Sequence, residues 1–279
     1  MYKTIIHSIQ YEKSKFSQLF ASEQQCLWQV DHKKITVRHK HPLDRQQLQR
    51  TRSEFNIDIN SLAPDFNAGA IKLFISDMDS TLITIECVDE IADFLNVKPQ
   101  VAKITESAMA GEIDFATSLK KRVALLKGLP QQQLQRVYDE RLRLSPGVES
   151  LLQGLKKHGV KTALVSGGFT YFTERLQQRL QLDYQLANTL GVENNILNGE
   201  VVGDIVTGQR KAEFLQQLCS QMNIDTHQAI AAGDGANDLP MLSLAGLGVA
   251  YRGKPVLQEK ADIVINHSGL DAILDLLEE

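Results

Sequence analysis

Short apolar runs that stop abruptly at polar residues punctuate this chain from residue 71 onward. Ile71 to Ile75 halts at Ser76-Asp77, Val160 to Val165 at Ser166-Gly167, and Ala229 to Ala232 at Gly233-Asp234. Leu247 to Ala250 and Ile263 to Ile265 read as two further short strands. Continuous apolar runs of this length are expected of parallel strands covered on both faces. Between them, apolar residues recur at helical spacing: Phe115, Leu119, Val123 and Leu126, then Phe214, Leu215 and Leu218 behind Lys211. Gly269 to Glu279 predicts a terminal amphipathic helix. Strands alternating with helices predict an α/β fold, a doubly wound, Rossmann-like parallel sheet. Two segments depart from that rhythm. Residues 90–144 are rich in helix formers and too long for a simple crossover, so they predict an inserted helical cap. Asn198-Gly199, between Leu197 and Val201, is a hairpin-type turn signal, so residues 196–207 predict a small β-flap.

The first 67 residues lack these runs. They predict a strand pair, 27–30 and 34–38, and a polar helix after Pro42, followed by a stretch of linker composition from Asn60 to Gly69. The expected organisation is a small N-terminal α+β domain, 1–67, and a larger domain, 68–279. With 279 residues, 43% of them hydrophobic, the chain can bury a core for one sizeable domain and a small one. No apolar run approaches the ~20 residues needed to cross a bilayer, and the N-terminus has no signal-peptide core. Arg38-His39-Lys40-His41 with Arg45, Arg50 and Arg52 would suit nucleic acid, but at a net charge of −4 a solvated helix face is the better reading, and no nucleic-acid or membrane partner is expected. Cys26, Cys87 and Cys219 are odd in number and widely spaced, fitting neither a disulfide framework nor a metal cluster. Free thiols in a reducing cytoplasm account for them.

Open α/β sheets do their chemistry beyond the carboxyl ends of the strands. Asp77 and Asp79 fall there, one residue apart and followed by Ser80-Thr81. Two carboxylates 4 Å apart repel by about 4 kcal/mol at an effective dielectric of 20. A cation would relieve this, and hard oxygen donors suit Mg²⁺ better than zinc. Asp234 offers a third carboxylate, with Asn237 and Asp238 placed to orient it or to bind substrate. Ser166-Gly167 reads equally as a phosphate cradle or as a plain strand-to-helix turn. Lys211, at a helix start, would ordinarily be solvated, yet a point charge for phosphate fits the same site. Arg122 lies seven residues from Phe115 and so on or beside the apolar stripe, while Lys120 and Lys121 point elsewhere. A guanidinium there either snorkels or faces a ligand. Glu86, by itself, reads as a surface glutamate.

Asp77-Met78-Asp79-Ser80-Thr81, Ser166-Gly167, Lys211 and Gly233-Asp234-Gly235-Ala236-Asn237-Asp238 resemble, in order, the four motifs of the haloacid dehalogenase superfamily of phosphohydrolases. From about Lys72 to the C-terminus the chain is similar to the phosphoserine phosphatases within it. The resemblance implies Mg²⁺-dependent hydrolysis of phosphoserine to serine, the last step of serine biosynthesis, through an aspartyl-phosphate. It implies Asp77 as nucleophile and Asp79 as general acid–base, with the metal held by Asp77, Asp234 and the backbone carbonyl of Asp79. It further implies Ser166, Gly167 and Lys211 on the phosphoryl oxygens, Asn237 in substrate binding, Glu86 on the substrate ammonium and Arg122 on its carboxylate. Phe115 and the Glu106 to Gly111 stretch would line the same pocket. Some bacterial members carry an N-terminal module similar to amino-acid-binding domains, but no ligand fingerprint in residues 1–67 separates that role from packing. A homodimer is left open. Two other readings stand beside this one: a phosphatase or phosphotransferase for another small phosphate, such as phosphohomoserine, and a signalling receiver. Asp79, Thr81, the cap and the chain length speak against the receiver.

Overall fold

The computed structural model describes residues 1–7, 16, 18–21, 26–31, 34–109 and 111–278. The N-terminal sheet consists of β1 (Tyr2–His7), β2 (Leu27–Val30), β3 (Lys34–His39) and β4 (Asp58–Leu62), all antiparallel, in the order β2-β3-β1-β4. Helix α1 (Arg45–Phe55) is capped by the Asp44 side chain, which accepts from the Gln47 N–H, and stops at Asn56 in a left-handed conformation. Side chains alternate across a strand. Ile6 and Ile59 accordingly join a small core with Phe16, Val37 and Leu48, while Ile5 and Leu62 point the other way into the larger core. The sequence located β2, β3 and α1 but missed β1 and β4. The stretch expected as linker begins in β4: Asn60 and Ser61 look solvent-bound by composition, yet Ser61 bonds Thr4 and Asn60 reaches the neighbouring sheet.

The larger sheet runs β11-β10-β9-β5-β6-β7-β8. Its strands are β5 (Leu73–Ser76), β6 (Lys161–Phe169), β7 (Tyr184–Glu193), β8 (Ile196–Val202), β9 (Ala229–Gly233), β10 (Leu247–Tyr251) and β11 (Ile263–Ile265). All pairings are parallel except β7 with β8. Phe74, Leu164 and Ile230 bury into one core and Leu73, Ile75, Ala163, Val165 and Ala231 into the other, which is why these strands read as unbroken apolar runs. Between β5 and β6 the chain leaves the sheet through α2 (Cys87–Asp93), α3 (Lys98–Met109), α4 (Phe115–Ala124) and α5 (Gln132–Arg136). A bridge between Ile83 and Leu144 closes the base of this excursion, and α6 (Val148–Lys157) leads back to β6. The remaining helices are α7 (Thr170–Leu180), α8 (Gly208–Gln221), α9 (Leu239–Leu244), α10 (Pro255–Gln258) and α11 (Ala272–Leu277). The terminal helix starts at Ala272, later than expected, after a turn in which the Leu270 N–H donates to the Pro146 carbonyl; Glu279 lies outside the described residues.

The flap differs in detail from its prediction. Its turn is Asn194-Asn195, both with positive φ (50° and 62°), whereas Asn198 and Gly199 lie inside β8. Two adjacent left-handed residues match the twist of a two-residue hairpin, and Asn tolerates them. Gly199 (φ +85°) allows the strand to approach α4: a Cβ there would sit 2.9 Å from the Lys127 Cβ. The hairpin also receives the segment after α4 as an added strand. Gly128 N–H donates to the Leu197 carbonyl (2.9 Å), Leu197 N–H to the Leu129 carbonyl (2.8 Å) and Gln131 N–H to the Asn195 carbonyl (2.8 Å).

The two sheets meet at β11. The Asn60 amide donates to the Val264 carbonyl (2.9 Å) and accepts from the Val264 N–H (2.8 Å). Buried Asp58 accepts from the N–H groups of Asn266 (2.7 Å), His267 (3.2 Å) and Ser268 (2.7 Å). Lys34 and His7 pair with Asp275 of α11.

Candidate active site

Strands β9, β5 and β6 are neighbours, so their carboxyl ends deliver Asp234, Asp77 and Ser166 to one place. Asp77 follows the last residue of β5 and is 4% exposed. Its Oδ1 accepts from Lys211 Nζ at 2.6 Å, and the same ammonium donates to Asp238 Oδ1 at 2.7 Å. Lys211 is therefore far from solvated. It sits in the first turn of α8, which is capped by Thr207, and is 1% exposed. Asp238 is fully buried, its Oδ2 accepting from the N–H groups of Gly235 (3.0 Å) and Asp234 (3.2 Å). Gly233 makes room for it: a Cβ at that position would lie 2.5 Å from the Asp238 Cβ.

Asp77, Asp234 and Asp238 bring carboxylate oxygens within 4.8 Å of one another. Burial raises the Asp77 carboxyl well above its usual range, and the Asp238 charge adds to this. Asp234 is pushed up to about 7 by burial and by Asp238. Burial opposes the Lys211 charge as well, but the Asp238 and Asp77 carboxylates outweigh it and raise that pKa. Three carboxylates against one ammonium leave a deficit of two positive charges when all are ionised. An all-oxygen set with that deficit fits a hard divalent cation.

Asp79 stands apart from the trio. The chain turns sharply at Ser80 (φ +56°), and Asp79 Oδ1 accepts from the Cys87 N–H at the start of α2 (3.3 Å). Burial, then the charge of Glu86, lift its pKa to about 7. Glu86 is exposed and accepts from the Ser80 hydroxyl at 2.6 Å.

Ser166 and Gly167 lie within β6 and not at a helix start, which comes only at Thr170. The ladder slips here: Val165 faces Leu186 and Phe169 faces Asn188, so three residues oppose one. The bulge lifts Ser166 to Gly168 out of the sheet, and Ser166 Oγ accepts from the Gly168 N–H at 2.8 Å. Neither glycine has room for a side chain. A Cβ at Gly167 would lie 2.7 Å from Phe115 Cζ, and one at Gly168 would lie 2.9 Å from Asp79 Oδ2.

A cavity of about 830 Å³ lies between these strand tips and the helices of the excursion. Asp77, Asp79, Asp234, Ser166, Gly167 and Asn237 line its floor side, with Glu86, Phe115 and Arg122 on its other walls. Of the catalytic-motif residues singled out by the sequence, Lys211 and Asp238 are not in the lining; Lys211 lies beneath Asp77 and bonds both carboxylates. On α4, Lys120 and Lys121 are exposed whereas Arg122 is half-buried. Burial lowers the Arg122 pKa against the pull of Asp89 and Glu86, and its Nε is buried with no hydrogen-bond partner among the described residues. From the 106–111 stretch Ala108 reaches the cavity; Ala110 lies outside the described residues. Sequence reasoning gave Asp238 an orienting or substrate-binding part, without its place in the acid trio, and overlooked Lys254 in the cavity lining. The Lys254-Pro255 start of a short helix was the one signal for the latter.

Buried acids and a lysine at the tips of a parallel sheet, beneath a helical insertion, define a hydrolase with an aspartate-based site. A family model for haloacid dehalogenase-like hydrolases matches residues 71–246. A phosphoserine phosphatase of Polaromonas sp. is 48% identical over 236 residues, covering 83% of this chain and 100% of that one. The crystal structure of a haloacid dehalogenase family hydrolase from Salmonella enterica serovar Typhi superposes with a TM-score of 0.92 at 34% identity, covering 100% of this chain and 98% of that one. A phospho-aspartyl intermediate analogue of phosphoserine phosphatase superposes with a TM-score of 0.70 at 40% identity, over 75% of this chain and 99% of that one. The chain belongs to the haloacid dehalogenase-like hydrolases and, within them, to the phosphoserine phosphatase family.

Proposed function

We propose that this chain hydrolyses O-phospho-L-serine to L-serine and phosphate through an aspartyl-phosphate at Asp77, with Mg²⁺ as its metal, as the last step of serine biosynthesis. The observation that carries this reading is the two-ended cavity. One end holds Asp77 and Asp234 of the acid trio, with Ser166 and Gly167; the cap side presents Arg122 with an unsatisfied Nε, and Glu86 lines the same cavity. A small phosphate ester bearing a carboxylate and an ammonium matches both ends.

Asp77, Asp234 and the backbone carbonyl of Asp79 would hold the ion, which when bound neutralises the charge of the phosphoryl oxygens. Lys211 fixes the Asp77 carboxylate through Oδ1, and an ammonium has three protons. Asp77 and Asp238 take two, leaving one for a phosphoryl oxygen. Ser166 Oγ already accepts from Gly168, so its own proton is free to donate; the Gly167 N–H and Asn237 complete the cradle. Asp77 attacks phosphorus as the bond to the serine oxygen breaks, and Asp79 gives its proton to that oxygen. A pKa near 7 keeps a protonated fraction available at neutral pH. Asp79 then takes a proton from water as the water attacks phosphorus, and the Asp77 carboxylate is released. Arg122 would pair with the substrate carboxylate in a forked geometry, and Glu86 with its ammonium. In this reading α2 to α5 form the cap that selects substrate, and residues 1–67 are a separate small module. The free Cys87 and Cys219 thiols support a cytoplasmic setting.

A phosphate-release screen over small phosphorylated metabolites, phosphohomoserine included, tests this with and without EDTA. O-phospho-L-serine should be preferred and EDTA should abolish release. Preference for an ester without a carboxylate, or release untouched by EDTA, would remove the proposal. Continuous turnover separates it from a receiver, which would be phosphorylated once.

A further inference from the structure

The bulge in β6 creates a debt that one side chain settles. Three residues facing one disrupt the ladder at Ser166 to Gly168, and backbone groups displaced from a ladder need partners elsewhere. Asn188, on β7 and 1% exposed, donates its amide to that carbonyl at 2.8 Å. Its Oδ1 accepts from the Val206 N–H, also at 2.8 Å. Val206 immediately precedes Thr207, the cap of α8, whose first turn carries Lys211. One buried amide thus spans the strand bulge that presents Ser166 and Gly167 and the entry to the helix that presents Lys211. Asn188 does not line the cavity, so it acts only through those groups.

We propose that Asn188 is a positioning residue that holds the Ser166–Gly167 bulge and the Lys211 helix in a single frame, setting phosphate affinity and turnover without touching substrate. This rests on the reading of Ser166, Gly167 and Lys211 as the phosphate cradle. With the Gly167 carbonyl tied back, the Gly167–Gly168 peptide plane is fixed, and its N–H, that of Gly168, is held on Ser166 Oγ, which orients the hydroxyl. Released, the two-glycine segment is free to rotate its peptides, and the cradle loses its preorganisation.

Asn188→Asp is the sharpest test, because it keeps shape and the acceptor for Val206 but sets an oxygen against the Gly167 carbonyl. Asn188→Ala accompanies it. Competitive inhibition by inorganic phosphate and by L-serine would be measured on the full chain with Mg²⁺, together with kcat and thermal midpoint. The expected result is at least a tenfold weaker inhibition by phosphate and a tenfold lower kcat in both variants, with inhibition by serine within twofold. Loss of thermal stability with phosphate inhibition and kcat unchanged would overturn the proposal and leave a structural role. In that event Ser166→Ala would still weaken phosphate if the cradle reading holds. Failure of phosphate to compete in the wild type, or no effect of Ser166→Ala, would instead remove the cradle and the proposal with it. Should neither Asn188 variant fold, amide exchange in the native protein decides: slow exchange at Val206 is expected, and fast exchange there overturns the clamp.

Discussion

Asp234→Asn isolates the electrostatic load that the acid trio places on the fold. In the metal-free protein the Asp234 pKa is pushed from 3.8 to about 7, a rise of about three units. At 1.36 kcal/mol per unit, holding this group ionised costs the folded chain about 4 kcal/mol, and cavity water screens that to ~2–4 kcal/mol. The sign follows from proton counts. Between pH 4 and 7 the unfolded chain has released this proton while the folded chain keeps it, so stability falls as pH rises through that window and levels off above it. Lys211, raised above 10.5, stays charged throughout and contributes no slope there. The asparagine variant, freed of the titrating group, should be more stable than the parent by ~2–4 kcal/mol at pH 7.5 in chelator, and nearly equal to it at pH 4. Mg²⁺ should erase that advantage, stabilising the parent by ~4.1 kcal/mol at about a thousand times its Kd and the variant far less. Urea unfolding at pH 4, 6 and 7.5, with EDTA and with Mg²⁺, measures all of these. A variant destabilised equally at every pH, or a Mg²⁺ effect the same in both proteins, would refute the reasoning.

Asp77→Asn should reduce phosphate release to background while the circular dichroism spectrum is unchanged; near-normal turnover would contradict the nucleophile. Asp79→Asn should still bind O-phospho-L-serine but fail in a single-turnover assay, since no proton reaches the leaving oxygen. Arg122→Ala should raise KM about a hundredfold, from the ~3 kcal/mol of a forked charged pair, and leave hydrolysis of an ester lacking a carboxylate nearly unaffected.

Much of the site was legible because strand tips are legible. An apolar run ending in Asp77 or Gly233-Asp234 announces both element and chemistry, and parallel neighbours bring such tips together. Side-chain partnership across elements was not. Nothing local distinguishes Asn237 from Asp238, and only folding shows that Asp238 shares the Lys211 ammonium with Asp77. The burial of Lys211 was hidden in the same way, since a lysine in a first helical turn is ordinarily solvated. Asn198-Gly199 is a stronger turn signal by composition than Asn194-Asn195, but the approach of α4 uses Gly199 within the strand. The polar β4 looked like linker because its side chains are matched by groups some two hundred residues away.

That last match bears on the chain's behaviour in crowded solution. A peripheral strand with vacant amides is a template on which foreign chains can assemble. Here Asn60 imitates a neighbouring strand for Val264, and the Asp58 carboxylate neutralises three successive amides just beyond it. Deleting the first 67 residues would strip that plug from β11 and leave an adhesive border on the larger sheet.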